Sequence, residues 1–179
     1  MSNNIVVLSG SPRKGGNTDK LVDAFVEGAK SAGKTVHLFR VADMKIAGCI
    51  GCNHCFEEKG VCVQKDDMLP ILDALRTAEA FVLASPVYYF SVTAQLKAAI
   101  DRTYALLSVE KPTKKSALLM TCGAGSPDVA EGAVVMHKTM CRIGKREDAG
   151  IVIATGLHDP DEINGRPELE QARKIGLEI

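Results

Sequence analysis

A chain of 179 residues is long enough for one domain with a buried core. Its 46% hydrophobic and 25% charged residues are ordinary for a globular protein, and a net charge of zero argues against nucleic acid or an anionic membrane as the main partner. With no Trp, only 4% aromatics, and no apolar run near the roughly 20 residues that span a bilayer, base-stacking and membrane-spanning roles are set aside.

The opening Met1-Ser2-Asn3-Asn4 has no basic region and is not read as a signal peptide, so a cytoplasmic protein is expected. The six cysteines are then expected as thiols or metal ligands, not disulfides. Residues 5–9 are an apolar, β-branched run, as in a strand buried on both faces. Residues 10–18 are turn formers. Residues 19–32 have helical spacing, with Leu21, Val22, Phe25, Val26 and Ala29 on one side, and Gly33 is a stop. Residues 35–41 read as a second strand, followed by a Cys/Gly-rich loop over 47–63. Asp66 or Asp67 caps a helix that continues through Leu72 and Leu75.

Residues 80–84 form a third strand ending at Ser85-Pro86, and 92–107 a helix. A strand over 116–121, a helix over 127–143, a strand over 150–155 and a short helix over 167–176 complete the pattern. Five strands alternating with helices imply parallel pairing through right-handed crossovers. The expected fold is a single α/β domain over 1–179: a doubly wound, five-stranded parallel sheet in a three-layer α/β/α sandwich. In such sheets ligands bind at the carboxyl ends of the strands, where strand order reverses.

The loop after the first strand is Ser9-Gly10-Ser11-Pro12-Arg13-Lys14-Gly15-Gly16-Asn17-Thr18. It joins a buried strand to a helix N-terminus, where free N–H groups and the helix dipole favour phosphate. Gly16 and Asn17 stand where a Walker A loop starting at Gly10 needs Lys and Ser/Thr, and Gly-x-Gly-x-x-Gly is absent. The loop suits a terminal phosphate monoester; the bland alternative is a polar turn that only caps the helix. Ser85-Pro86 ends its strand sharply, since proline cannot donate to a ladder. Tyr88 and Tyr89 then offer ring faces, or serve as core or interface aromatics.

At these residues the sequence resembles the flavodoxin-like NAD(P)H-dependent FMN reductases, over nearly its whole length. The resemblance rests on residues 10–18, on Ser85-Pro86-Val87-Tyr88-Tyr89, on Gln95-Leu96-Lys97 and on Asp101-Arg102. It implies a flavodoxin-like fold with FMN phosphate in the first loop, near Ser9 and Gly16, contacted by Ser11, Arg13, Asn17 and Thr18. It further implies that Pro86, Val87, Tyr88 and Tyr89 line the flavin, with Gly123 and Ala124 closing the site. NAD(P)H is then the electron donor. The acceptor is a quinone, a nitro- or azo-aromatic, free flavin or a protein carrier. Related enzymes pair subunits around the flavin, so a homodimer or homotetramer is expected, with Tyr89 or Phe90 as a contact.

Cys49, Cys52, Cys55 and Cys62 have the spacing C-x₂-C-x₂-C-x₆-C. This resembles the compact motif of the iron–sulfur flavoproteins, a branch of the same fold class that binds a [4Fe-4S] cluster. Three thiolates on a tight loop can hold one face of a cubane while a fourth closes it. Structural zinc is a competing reading, although its pairs are usually two separated C-x₂-C units. Free thiols are a third. The cluster reading carries an alternative function, an electron carrier reduced by ferredoxin. A non-redox module holding a phosphorylated ligand is a further possibility; a response-regulator-like one is disfavoured, because no acidic cluster follows the first strand.

His54, inside the loop, is a candidate ligand but reads first as an exposed polar residue, and Cys122 and Cys141 are expected to be buried small hydrophobes. Asp43, Asp66, Asp67, His137 and His158 read as caps or surface groups, and Lys97 and Asp101 as a surface pair.

Overall fold

The computed structural model describes residues 3–109 and 113–179. Met1 and Ser2, part of the segment read as no signal peptide, lie outside them. The strands are β1 (Asn4–Ser9), β2 (Thr35–Arg40), β3 (Ala80–Pro86), β4 (Lys115–Thr121) and β5 (Glu147–Ala154). The helices are α1 (Asn17–Ser31), α2 (His54–Glu57), α3 (Met68–Thr77), α4 (Ala94–Arg102), α5 (Glu131–Gly144) and α6 (Pro167–Glu178).

All five strands are parallel, in the order β2-β1-β3-β4-β5. That is the flavodoxin-like doubly wound order. The side-chain period of two sorts each central strand onto two cores. Ile5, Val7, Val82, Ala84, Ala117 and Leu119 share one with Leu21 and Phe25 of α1 and Ala172 of α6. Val6, Leu8, Phe81, Leu83, Leu118 and Met120 share the other with α3 and α4, through Ile71, Leu72 and Leu96. Burying each large apolar side chain contributes roughly 1.5–3 kcal/mol, so a strand apolar on both faces is held in the middle layer. From β1 the chain crosses one way to β2 and the other way to β3. The strand order therefore reverses at the β1/β3 pair, and a crevice opens above their carboxyl ends.

Several element ends differ from the sequence pattern. Residues 92–107 do not form one helix: α4 starts after Thr93, whose Oγ1 accepts from Leu96 N–H, and tightens at Thr103–Ser108 into a 3₁₀ turn. Residues 127–143 divide similarly, because Ser126 caps a 3₁₀ turn at Pro127–Ala130 before α5 begins. β2 gives way at Val41–Asp43 to another 3₁₀ turn, β5 starts at Glu147, and α6 extends to Glu178. The one-turn helix α2 inside the cysteine loop has no periodic signal.

The core also corrects one single-residue expectation. His137 is neither a cap nor a surface group: it is buried, with Nε2 3.1 Å from Ser116 Oγ and 3.6 Å from Cys141 Sγ. Cys122 and Cys141 are buried, as expected. Lys97 Nζ and Asp101 Oδ1 pair at 2.6 Å on the exposed side of α4. No helix among the described residues is long and apolar enough to cross a membrane.

Candidate active site

A cavity of about 240 Å³ opens at the crevice above β1 and β3. The β1–α1 loop contributes Ser11, Arg13, Gly16, Asn17 and Thr18 to its wall. The β3–α4 loop contributes Pro86, Val87 and Tyr88, and the loop after β4 contributes Gly123. Three other sequence-derived candidates stand outside the wall. Ser9 is buried at the end of β1, its hydroxyl unpartnered among the described residues. Tyr89 points away at a loop tip and is 96% exposed. Ala124 turns its carbonyl to Gly156 N–H (2.8 Å).

The loops are held in place by hydrogen bonds across the crevice. Thr93 Oγ1 donates to Gly10 O (2.9 Å) and Thr93 N–H donates to Ser85 Oγ (3.0 Å), joining the loops after β1 and β3. Within the first loop, Ser11 Oγ accepts from Arg13 N–H (3.3 Å) and Gly15 N–H donates to Asp19 Oδ2 (2.8 Å). Among the described residues no side chain makes a cap hydrogen bond to α1, so its positive end is open to an anion at the cleft. Arg13 is exposed at the rim. Two of the polar side chains are bound within the chain. Thr18 Oγ1 is 2.7 Å from Thr121 Oγ1. Asn17 Nδ2 donates to Asp159 O (2.8 Å) and Asn17 Oδ1 accepts from Ile163 N–H (3.3 Å).

That Asn17 tether folds the β5–α6 loop back over the crevice and brings Leu157 and His158 into its wall. His158 is therefore a cleft residue and not only a surface group. Glu162 Oε2 accepts from His158 N–H (2.6 Å) and Asp159 N–H (3.0 Å). The same two N–H groups, Asp159 first, hold the Glu162 carboxyl below the usual range. Gly123 leaves the imidazole its space, since a Cβ there would lie 3.1 Å from His158 Nδ1. Cys122 also borders the cleft, its thiol pushed up by burial. No local pattern marks Leu157 or His158; only the long-range return of their loop puts them there.

The second feature is the cysteine loop between β2 and α3. Lys45 N–H donates to Asp67 Oδ2 (2.7 Å), Ala47 N–H to Asp66 Oδ2 (3.0 Å), and Gln64 Nε2 to Gly48 O (3.1 Å), closing its base. Asp66 does cap α3, accepting from Met68 N–H (3.1 Å), and it also forks onto Arg102 of α4. Burial pushes the Asp66 carboxyl up, but the Arg102 fork and the N–H groups of Ala47 and Met68 hold it below the usual range.

Cys49, Cys52, Cys55 and Cys62 border one hollow, with Arg102 and Tyr104. Cys49 and Cys52 are exposed, Cys62 is half-buried and Cys55 buried. Burial first, and then the charges of Cys62, Cys49 and Cys52, push the Cys55 thiol up. His54 is half-buried on α2, not fully exposed. Among the described residues no three His, Cys, Asp or Glu side chains converge closely enough to hold a metal ion.

Comparison with known proteins places this geometry. An iron-sulfur flavoprotein of Archaeoglobus fulgidus is 35% identical over 178 residues, spanning 97% of this chain and 77% of that protein. Another, from Methanocaldococcus jannaschii, is 40% identical over 102 residues, 57% of this chain and about half (52%) of its own length. The solved NAD(P)H:quinone oxidoreductase from Methanothermobacter marburgensis superposes with a TM-score of 0.77 over 99% of this chain and 96% of that one; at 19% identity it shares the fold. The family model for NADPH-dependent FMN reductase matches residues 3–140, and the chain belongs to that family.

Proposed function

We propose that the chain is an FMN-dependent oxidoreductase that takes electrons from NAD(P)H. It passes them to a quinone, a nitro- or azo-aromatic, free flavin or a protein acceptor. The observation that carries this reading is the cleft at the β1/β3 reversal, with an uncapped helix end on one side and Pro86, Val87 and Tyr88 on the other. The N–H groups opening α1 and the Arg13 guanidinium bind the cofactor phosphate. Pro86 to Tyr88 bound the ring with backbone edge and an aromatic wall. The Thr93 bonds to both loops hold these two halves at a fixed separation. Bound FMN supplies the redox chemistry; the protein supplies placement and electrostatics.

The cysteine hollow favours a second reading beside the first: an iron–sulfur flavoprotein whose loop carries a [4Fe-4S] cluster and which ferredoxin reduces. Four thiols face one hollow, and a buried guanidinium stands beside them as counter-charge. The thiols border a space instead of meeting at a point, which suits a polynuclear group better than one zinc ion, whose sulfurs must each come within about 2.3 Å of it. This donor set fits the cluster. Cys49, Cys52, Cys55 and Cys62 would hold it, and it would supply one-electron transfer.

Anaerobic spectroscopy of the purified, reconstituted protein tests both readings. Flavin bands at roughly 375 and 450 nm should appear and be bleached by NADPH or NADH. Arg13→Ala should weaken FMN binding about tenfold, the 1.4 kcal/mol of one exposed charge-assisted bond, and leave riboflavin binding unchanged. A protein that retains no flavin sinks the oxidoreductase proposal. Iron and sulfide analysis decides the cluster. Reduction by ferredoxin without NAD(P)H oxidation favours the carrier.

A further inference from the structure

Arg102 is only 1% exposed, yet it lies at the end of α4 against the cysteine loop. Its Nη1 donates to Ala47 O (2.9 Å) and Asp66 Oδ2 (2.7 Å). Its Nη2 donates to Asp66 Oδ1 (3.0 Å) and, more weakly, to Gln64 O (3.5 Å). Ala47 stands just before Cys49 and Gln64 just after Cys62. One guanidinium therefore grips both ends of the segment that carries all four cysteines.

The third donor of the fork behaves differently. Arg102 Nε–H is buried and has no acceptor among the described residues. Leaving such a donor unpaired costs about 1–3 kcal/mol, and native structures rarely keep one without a use. Arg102 borders the same hollow as the four cysteines. Asp66 takes both Nη groups, so the donor of the guanidinium left free beside the hollow is Nε–H.

We infer that Arg102 is a positioning residue for the cysteine loop, clamping its two ends and keeping Nε–H for an anionic sulfur that the loop carries. The inference rests on the cluster reading above. Thiolates around an iron cluster leave net negative charge on the sulfurs, and N–H donors to sulfur stabilise the reduced state, raising the reduction potential.

The test uses the full chain as wild type, Arg102→Met, Arg102→Lys and Asp66→Asn, reconstituted anaerobically with iron and sulfide. Flavin content serves as the folding control, because the cleft is built by other loops. Both Arg102 variants should keep flavin, retain less than half the wild-type cluster iron after gel filtration, and titrate at a lower potential. Lysine keeps a cation for Asp66 but has no Nε–H, so it should not restore the potential. Asp66→Asn keeps the donor and should not lower the potential. In the metal-free chain, iodoacetamide should label Cys55 more than tenfold faster in Arg102→Met. Should Arg102→Met lose its flavin, Arg102→Lys and Asp66→Asn carry the comparison. Arg102 variants with full flavin, wild-type potential and wild-type Cys55 labelling would overturn the inference. If the wild-type chain takes up no iron, the cluster reading fails, and the Nε–H half of the inference falls with it.

Discussion

His137 joins α5 to β4 from inside the core, and its environment determines its charge. Nε2 lies 3.1 Å from Ser116 Oγ, while buried Nδ1 has no hydrogen-bond partner among the described residues and Asp148 Oδ1 is 4.0 Å away. Burial holds the imidazole below its ordinary value; Asp148 pulls it up, and Arg146 and Lys138 push it down. On acidification the unfolded chain therefore takes the proton first. The stability is fully present above about pH 6.5 and is lost as pH falls through the lower folded value. Urea midpoints should drop between about pH 7 and 5 in the wild type, and drop less in His137→Gln, whose amide can still bond Ser116. Level wild-type midpoints across that window would show that the imidazole is not held neutral. The carboxyls of Asp43, Asp66 and Glu162, all held below their usual range, act at lower pH, while Asp23, raised by burial and then by Asp19, takes its proton first in the folded chain and opposes the drop. The burial of His137 was legible after all: it shares a row four residues apart with Ala133 and Cys141, both buried. Its residue type, mostly seen at surfaces, hid that signal.

At the scale of elements, α1 and α6 meet backbone to backbone. A Cβ on Gly28 would lie 2.0 Å from Arg173 O, and one on Gly176 2.1 Å from Phe25 O. Gly28→Ala must therefore push the helices apart and loosen Phe25 and Ala172 in the shared core. Overpacking of this kind costs typically 1–3 kcal/mol, which outweighs the roughly 1 kcal/mol that alanine gains over glycine inside a helix. Gly28→Ala should thus lower the urea midpoint. Gly48→Ala in the cysteine loop, where an added Cβ would meet none of the described residues beyond its chain neighbours within 4 Å, should not. Equal midpoints for the two variants would refute close packing of α1 on α6. Such contacts mark the limit of reading by pattern. Alternating strands and helices imply a parallel sheet with ligand loops at the carboxyl ends of its strands, while the order of the strands came only with the flavodoxin-like resemblance. The phosphate loop was recognisable because strand, small residues and helix N-terminus are contiguous. The clamp of Arg102 and the return of the β5–α6 loop to Asn17 join residues far apart in sequence, and no local periodicity encodes them.

For the molecule as a whole, the tip of the β3–α4 loop offers a surface the folded chain does not cover. Tyr88 and Ser91 exchange backbone hydrogen bonds (2.9 and 3.1 Å), closing a two-residue turn. Tyr89 and Phe90 form its apex with φ of 47° and 67°, a left-handed conformation that costs non-glycine residues about 1–3 kcal/mol each. Their rings pack edge to face at 5.5 Å and project beside the cleft, both exposed. Phe90 O rests where a Cβ on Gly132 of α5 would be, 2.6 Å away, so the turn is braced against the fold. Strain spent to expose two aromatics suits a contact with a second copy, in line with the homodimer expected from the family resemblance, and a homotetramer adds a further interface. Sedimentation velocity at micromolar concentration should give a dimer or larger species. Tyr89→Ser with Phe90→Ser should shift it toward monomer and keep flavin content, since neither side chain is in the cleft wall. A wild-type chain that sediments as a monomer at tens of micromolar would leave the strained turn without that role. The solvent-facing rings would then be free to contact the electron acceptor instead, and the double variant should raise KM for an aromatic acceptor without changing sedimentation.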